Sequence, residues 1–127
     1  MLRVGFKKLL AQANAEIETI SVAEARQLAG RDDVVFVDVR EAAERVASGG
    51  IASAVHAPRG FLEFHADPES PLHKPALASG KKLVLYCASG GRSALAAKTL
   101  KDTGIADVSS LAGGFAAWKE AGGAIEP

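Results

Sequence analysis

The stretch 83-LVLYCASGGRSALAAKTLKD-102 decides the fold class of this chain. Its first four residues, 83–86, form a continuous apolar run, which is typical of a β-strand covered on both faces of a sheet. Residues 93–102 are rich in alanine and leucine and predict a helix that ends before Gly104. Lys98 and Lys101 lie near its C-terminal end, where positive charges interact favourably with the helix dipole. A buried strand that leads through a short loop into a helix is the repeating unit of a parallel sheet.

The rest of the chain repeats this alternation. Residues 34–37 predict a second strand, residues 54–57 and 108–111 have weaker strand patterns, and residues 19–20 would add a short edge strand. Three further segments have helical patterns: residues 21–30, 41–47 and 114–121. The first opens with Ser21 and Glu24 at capping-box spacing, and in the last we expect Phe115 and Trp118 to pack in the core. We therefore expect an α/β fold, with a small, mainly parallel sheet of about five strands and helices on both faces.

Length and charge limit the classes of function. The 127 residues are enough for one domain with its own core. The 15 basic and 15 acidic side chains give a formal net charge of zero, which argues against broad electrostatic capture of nucleic acid or of an anionic membrane. No apolar run approaches the ~18–20 residues of a membrane span, and none resembles a secretory signal, so we expect a cytoplasmic protein.

Residues 1–18 form a separate amphipathic pattern. Apolar side chains recur there at helical spacing: Leu2, Phe6, Leu9, Leu10, Ala13 and Ile17. We expect this helix to pack on the domain formed by residues 19–127. A membrane-surface helix and a mitochondrial presequence are the alternatives.

The chain has one cysteine, Cys87, directly after the 83–86 run. A single cysteine excludes an intramolecular disulfide and any zinc site with two or more cysteine ligands. The histidines at 65 and 73 lack ligand spacing, so no metal site is expected and no cofactor is implied. His56 and Arg59 follow the run 54–57 and could line the entrance of a site, with an ordinary loop role as the alternative. What remains to be explained is the role of the thiol.

The position of Cys87 predicts a reactive thiol. Ligand sites of open parallel sheets lie at the carboxyl ends of the strands. Gly90 and Gly91 let successive N–H groups form an anion-binding nest, which the N-terminus of the next helix extends, and such a site lowers the pKa of a thiol. Arg92 adds a planar donor fork at the rim that suits a sulfonate, phosphate or carboxylate. The alternative is a small buried side chain at a strand end, which is common for free cysteines.

Three segments resemble landmarks of one family. The loop 87-CASGGRSA-94 resembles the active-site loop of the single-domain rhodaneses, the thiosulfate:cyanide sulfurtransferases. Residues 37-VDVRE-41 are similar to the family's Asp-x-Arg segment, and 111-LAGGFAAW-118 to its Gly-Gly-x-x-x-Trp signature. The likeness extends from about residue 20 to residue 122. One turn departs from it, because 49-GGIASA-54 stands where the family usually reads Gly-His-Ile-Pro-Gly-Ala.

The resemblance implies a rhodanese-like fold and a covalent mechanism. In this family a cysteine thiolate, here Cys87, takes a sulfane sulfur from a donor such as thiosulfate, and the resulting persulfide passes that sulfur to cyanide or a thiol. The loop would bind the donor and stabilise the anionic sulfur; its residues are Ala88, Ser89, Gly90, Gly91, Arg92 and Ser93. The implied partners are a small sulfur donor, a thiol or cyanide acceptor and, as a variant, a protein acceptor.

Asp38 and Arg40 follow the 34–37 run, which should neighbour the catalytic strand. The resemblance suggests that they brace the loop, either as an ion pair or through its amides. The alternative is that Asp38 caps a helix and Arg40 is a solvated surface side chain.

Three functions remain open. Sulfur transfer leads, because four residues separate Cys87 from Arg92, whereas the related cell-cycle dual-specificity phosphatases have five and so make room for a phosphate. A persulfide carrier or binding module for a protein partner, with little turnover of its own, is the second. A phosphatase or arsenate reductase is the third.

Overall fold

A computed structural model describes residues 1–127. The strands are β1 (Glu18–Ile20), β2 (Val34–Asp38), β3 (Gly50–Ile51), β4 (Val55–His56), β5 (Lys82–Tyr86), β6 (Val108–Leu111) and β7 (Ile125–Glu126). The α-helices are α1 (Phe6–Glu16), α2 (Val22–Leu28), α3 (Ala42–Ser48), α4 (Leu62–Ala66), α5 (Gly91–Asp102) and α6 (Gly114–Glu120). Short 3-10 helices cover Arg59–Phe61 and Pro75–Ala78.

The main sheet has five strands in the order β1-β6-β5-β2-β4, and every neighbouring pair is parallel. The central strand β5 buries its last four side chains, as its continuous apolar run predicts. The α/β class and the five-stranded parallel sheet are thus confirmed. Asp38 at the end of β2 is in register with Tyr86 at the end of β5, so the residues that follow these strands meet at one edge.

Helices cover both faces of the sheet, as predicted. One face packs against α4, α5 and the second 3-10 helix, and the other packs against α2 and α6. Ala96 and Ala97 are fully buried, and their short side chains let α5 approach the sheet closely. Phe115 and Trp118 are buried on the opposite face, where the Trp118 ring lies 5.7 Å from that of Phe36. Their predicted place in the core is confirmed.

Two features differ from the sequence prediction. The helix α5 begins at Gly91 rather than at Ser93, because Gly90 adopts a left-handed conformation (φ 118°) from which the chain enters the helix at once. In addition, β3 and β7 form a separate antiparallel pair. Strands of two residues leave no alternation in the sequence, so periodicity could not reveal them.

The helix α1 packs along α5 and buries Ala13. Lys98 is 3.5 Å from the Glu16 carboxylate at one end of this contact, and Leu10 approaches Gly91 at the other. The two helices therefore run parallel, and the first turn of α1 extends past the start of α5, where Phe6 is 67% exposed. No helix of the structure is both long and apolar enough to cross a bilayer.

Candidate active site

Cys87 follows β5 directly and its side chain is buried under the loop that connects to α5. The backbone N–H of Gly90 donates to Sγ at 3.1 Å. The hydroxyl oxygen of Ser93 lies 3.6 Å from the same sulfur. The loop thus curls around the thiol. Gly90, one of the two glycines predicted to form the nest, points its N–H at the sulfur.

The surroundings of Cys87 favour its thiolate. Burial has the largest single effect and raises the pKa of the thiol, because a charge loses its hydration. Hydrogen bonds from the Ser93 backbone and side chain, and from the N–H groups of Gly90 and Ser89, act in the opposite direction and together outweigh it. The pKa of Cys87 consequently lies below its ordinary value, which is what a nucleophilic cysteine requires.

Ser93 is fixed by a network that the sequence did not reveal. Its hydroxyl donates to the carbonyl of Gly90 at 3.1 Å and shares a hydrogen bond of 2.8 Å with the hydroxyl of Ser110, in β6. Both serines are buried. The chain of polar atoms from Cys87 through Ser93 to Ser110 ties the loop to the neighbouring strand and holds a hydroxyl beside the sulfur.

The start of α6 supports the loop from behind. The N–H of Phe115 donates to the carbonyl of Cys87 at 2.8 Å, and the N–H of Ala116 donates to that of Ala88 at 3.2 Å. Gly114 has φ 59°, and a Cβ at this position would lie 2.5 Å from the Cys87 carbonyl oxygen. In the sequence the glycine pair stands out only as part of the Gly-Gly-x-x-x-Trp signature; the structure shows that Gly114 also permits contact with the cysteine loop.

Arg92 forms an ion pair with Glu44, a residue that the sequence pattern did not reveal. Its guanidinium donates to Glu44 in α3 through two hydrogen bonds of 2.6 and 2.9 Å. This pairing is the main reason why the pKa of Glu44 falls to about 2 and that of Arg92 is raised, and the charge of Cys87 also raises the pKa of Arg92. The side chains of Arg92 and Glu44 are 40% and 34% exposed, so the pair lies at the rim of the site. Arg92 therefore stands where the sequence predicted it, but its donor fork is already occupied.

Asp38 and Arg40 form a buried ion pair. The Arg40 guanidinium donates to the Asp38 carboxylate at 2.8 Å, and both side chains are at most 2% exposed. Burial raises the pKa of Asp38, but the hydrogen bonds from Arg40 outweigh this effect and the pKa is lowered overall. Arg40 also stacks over the Phe115 ring, 4.4 Å from its centroid. The structure thus contains the ion pair that was one of the two ways foreseen for bracing the loop, and Arg40 is not solvated.

The Asp38 carboxylate also helps to hold the turn at residues 49–54, which departs from the family pattern, against the end of β5. It accepts hydrogen bonds from the Tyr86 hydroxyl at 3.0 Å and from Arg45 at 3.1 Å. The Tyr86 hydroxyl in turn accepts from the backbone N–H of Ile51, and Arg40 donates to the carbonyl of Gly49. The turn at 49–54 is therefore held to the end of β5 without the histidine and proline that are usual in the family.

The remaining polar candidates make local contacts. His56, His65 and His73 each have a ring nitrogen hydrogen-bonded to a backbone carbonyl. Arg59 donates to Glu63 and to Thr99. No group of three or more His, Cys, Asp or Glu side chains is close enough to hold a metal ion.

A groove of about 270 Å³ lies beside the cysteine loop. Ser89, Gly90 and Gly91 form one wall, and Leu10 and Asn14 of α1 contribute to another. The N-terminal helix therefore helps to shape the surface next to the thiol.

The chain belongs to the rhodanese-like domain family, whose family model matches residues 21–121. A sulfurtransferase from Allochromatium vinosum is 33% identical over 107 residues, which cover 84% of this chain and 90% of that protein. A Synechocystis protein is 38% identical over 104 residues, or 82% of this chain, and the match spans 53% of its length.

Solved structures agree with this assignment of the fold. A Rhodopseudomonas palustris protein of unknown function, described as a possible tyrosine phosphatase, is 47% identical, with a TM-score of 0.95 over 99% of this chain and 97% of that one. The polysulfide-sulfur transferase homodimer from Wolinella succinogenes is 29% identical, with a TM-score of 0.72 over 95% and 86% of the two chains. The family and its sulfurtransferase members support sulfur transfer as the general class of activity.

Proposed function

We propose that this protein is a sulfurtransferase that moves a sulfane sulfur from a donor such as thiosulfate to cyanide or a thiol through a persulfide on Cys87. The observation that carries the proposal is the position of Sγ, 3.1 Å from the N–H of Gly90, in a loop that lowers the pKa of the thiol. The sulfurtransferase and polysulfide-sulfur transferase relatives support the same chemistry.

The reaction has two steps. The Cys87 thiolate attacks the outer sulfur of thiosulfate, the sulfur–sulfur bond of the donor breaks, and its electron pair leaves with sulfite. Cyanide or a thiol then attacks the outer sulfur of the persulfide, which restores the thiolate. The N–H groups of residues 88–93 would stabilise the negative charge on the outer sulfur, as fixed dipoles do in an oxyanion hole. No metal or cofactor is needed for either step.

The other predicted residues would act by positioning. Arg92 would orient the anionic end of the donor, and Ser93 would support the sulfur. The Asp38–Arg40 pair would brace the loop through Tyr86, which immediately precedes Cys87. Because the chain has no second cysteine, the persulfide cannot be resolved internally as a disulfide, and its sulfur must pass to an outside acceptor, small or protein. The cytoplasmic location expected from the sequence stays a prediction.

Mass spectrometry of the intact protein tests the proposal. Incubation with thiosulfate is expected to add one sulfur atom, and Cys87→Ser is expected to abolish the adduct. Cyanide should then remove the sulfur and release thiocyanate. If thiosulfate, methanethiosulfonate and polysulfide all fail to load Cys87, the proposal is wrong. Loading without catalytic thiocyanate release would instead indicate a persulfide carrier.

A phosphatase is the second candidate, because the 47% identical Rhodopseudomonas palustris protein is described as a possible tyrosine phosphatase. Two features argue against it: only four residues separate Cys87 from Arg92, and Glu44 occupies the Arg92 donor fork that a phosphate would need. Hydrolysis of p-nitrophenyl phosphate decides the question. We expect no phosphate release that depends on Cys87; release that disappears in Cys87→Ser would favour the phosphatase.

A further inference from the structure

Three arginines near the cysteine loop, Arg92, Arg40 and Arg45, donate to carboxylates. Arg92 is the only charged residue of the loop, and both of its terminal nitrogens are hydrogen-bonded to Glu44. Arg40 and Arg45 both donate to the Asp38 carboxylate. Arg40 and Arg45 thus share one carboxylate, whereas the charge of Arg92, in the loop itself, is matched one to one by Glu44.

Glu44 is held in this position from its own helix. Its Oε1 atom accepts a hydrogen bond of 3.1 Å from the backbone N–H of Glu41, in addition to the bond from Arg92. The low pKa of its carboxyl, about 2, keeps it charged at neutral pH. The bidentate pair is thus anchored at its Glu44 end and partly exposed, so its two opposite charges lie together at the rim of the site.

We propose that Glu44 determines donor specificity: by neutralising Arg92 it selects sulfane donors that carry a single negative charge over dianionic thiosulfate. This inference rests on the proposed sulfurtransferase activity and refines it. Glu44 touches neither sulfur nor donor in this arrangement, so it acts through Arg92 and is a positioning residue.

Methanethiosulfonate is the matched probe for thiosulfate. In both donors the Cys87 thiolate attacks a terminal sulfur bound to an oxidised sulfur atom, and the same type of bond breaks. The electron pair leaves with methanesulfinate in one case and with sulfite in the other, and each reaction gives the same Cys87 persulfide. The two donors differ by one unit of charge at similar size, so the ratio of their loading rates reports the charge preference of the site.

Glu44→Gln tests the proposal. Glutamine keeps the shape of the side chain and an oxygen that can accept from Glu41, but it removes the charge. For a donor charge ~6 Å from this carboxylate, with a dielectric constant between about 40 and 80, the rate constant for loading by thiosulfate should rise relative to that by methanethiosulfonate by about three- to tenfold at low ionic strength. The second-order rate constants are measured by quenching the loading reaction and counting the persulfide by mass spectrometry.

Asp102→Asn is the control, because it removes the same unit of charge at the far end of α5, where Asp102 pairs with Lys98. It is expected to leave the ratio unchanged. Salt provides a second measurement that a merely structural role would not affect. Loading by thiosulfate should fall more steeply with ionic strength, relative to the wild type, in Glu44→Gln, because salt screens the Arg92 charge that this variant leaves unpaired.

The outcomes separate this inference from the function on which it rests. If no donor loads Cys87, the proposed function fails. If both donors load but the ratio is equal in the wild type, Glu44→Gln and Asp102→Asn, only the specificity role of Glu44 is wrong. If Glu44→Gln does not fold, Arg92→Gln tests the same pair, because it leaves the Glu44 charge uncompensated: the thiosulfate-to-methanethiosulfonate ratio is expected to fall, and an unchanged ratio would show that the pair does not set the charge preference.

Discussion

Replacing Ser93 with alanine should raise the pKa of Cys87. When the thiol is neutral, Ser93 donates to the Gly90 carbonyl; when it ionises, the same hydroxyl is 3.6 Å from Sγ and can turn to donate to the thiolate while Ser110 donates to Ser93. A hydrogen bond to a charged group is worth roughly 1.5–3 kcal/mol. The contact is long, so the low end applies, and the expected increase is about one pKa unit.

The assay is the ultraviolet absorbance of the thiolate as a function of pH. Cys87→Ser supplies the blank, and the only tyrosine does not interfere because burial and the neighbouring Asp38 raise the pKa of Tyr86. Ser110→Ala is the control: it removes a partner of Ser93 without removing a group that contacts the sulfur. An unchanged pKa of Cys87 in Ser93→Ala, or an equal rise in Ser110→Ala, would refute the assignment of the Ser93 hydroxyl.

The lowered pKa of Cys87 in the wild type also has a consequence for stability. The pKa of Cys87 is lower in the folded protein than its ordinary value of 9.0, so between these two values the unfolded chain binds more protons. The free energy of unfolding should therefore rise with pH across this window and lose that contribution as pH falls through the folded pKa. Urea unfolding at several pH values should show a smaller rise for Ser93→Ala and none from this source for Cys87→Ser.

The other predictions concern the residues that hold the loop. Asp38→Asn leaves the buried Arg40 without its carboxylate and should lower the free energy of unfolding by about 3–5 kcal/mol in urea, where a loss below about 1 kcal/mol would contradict the structure. Because the pKa of Asp38 is lowered by folding, its stabilisation of the wild type should disappear as pH falls below about 4. Gly114→Ala should cost about 1–3 kcal/mol more than Gly104→Ala, since both have positive φ but only the Cβ at 114 meets the Cys87 carbonyl; equal losses would rule out that contact.

The sequence predicted those parts of the fold whose cause is local. The apolar run of β5, the two glycines after Cys87 and the helix that follows lie within one continuous stretch, so the thiol, its loop and their position at the sheet edge could be inferred together. Asp38 and Arg40 are two residues apart, so their pairing could be considered as well.

The partners that complete the site are distant in the chain. Glu44 and Arg92 are 48 positions apart, and Ser93 and Ser110 are 17 apart. Nothing in the pattern around Glu44 distinguishes it from an ordinary first-turn acidic residue of a helix, since its contact depends on how α3 is placed against α5. For the same reason, the role of Gly114 beside the Cys87 carbonyl became visible only in three dimensions.

The hydrogen bonds from the start of α6 to Cys87 and Ala88 also affect the order in which the protein matures during synthesis. The N–H groups of Phe115 and Ala116 leave the ribosome 28 residues after Cys87 and Ala88, whose carbonyls they hold. A nascent chain that has exposed β5 and α5 therefore still lacks the support for its thiol loop. The loop that surrounds the sulfur therefore gains its full support only once α6 has been synthesised and folded.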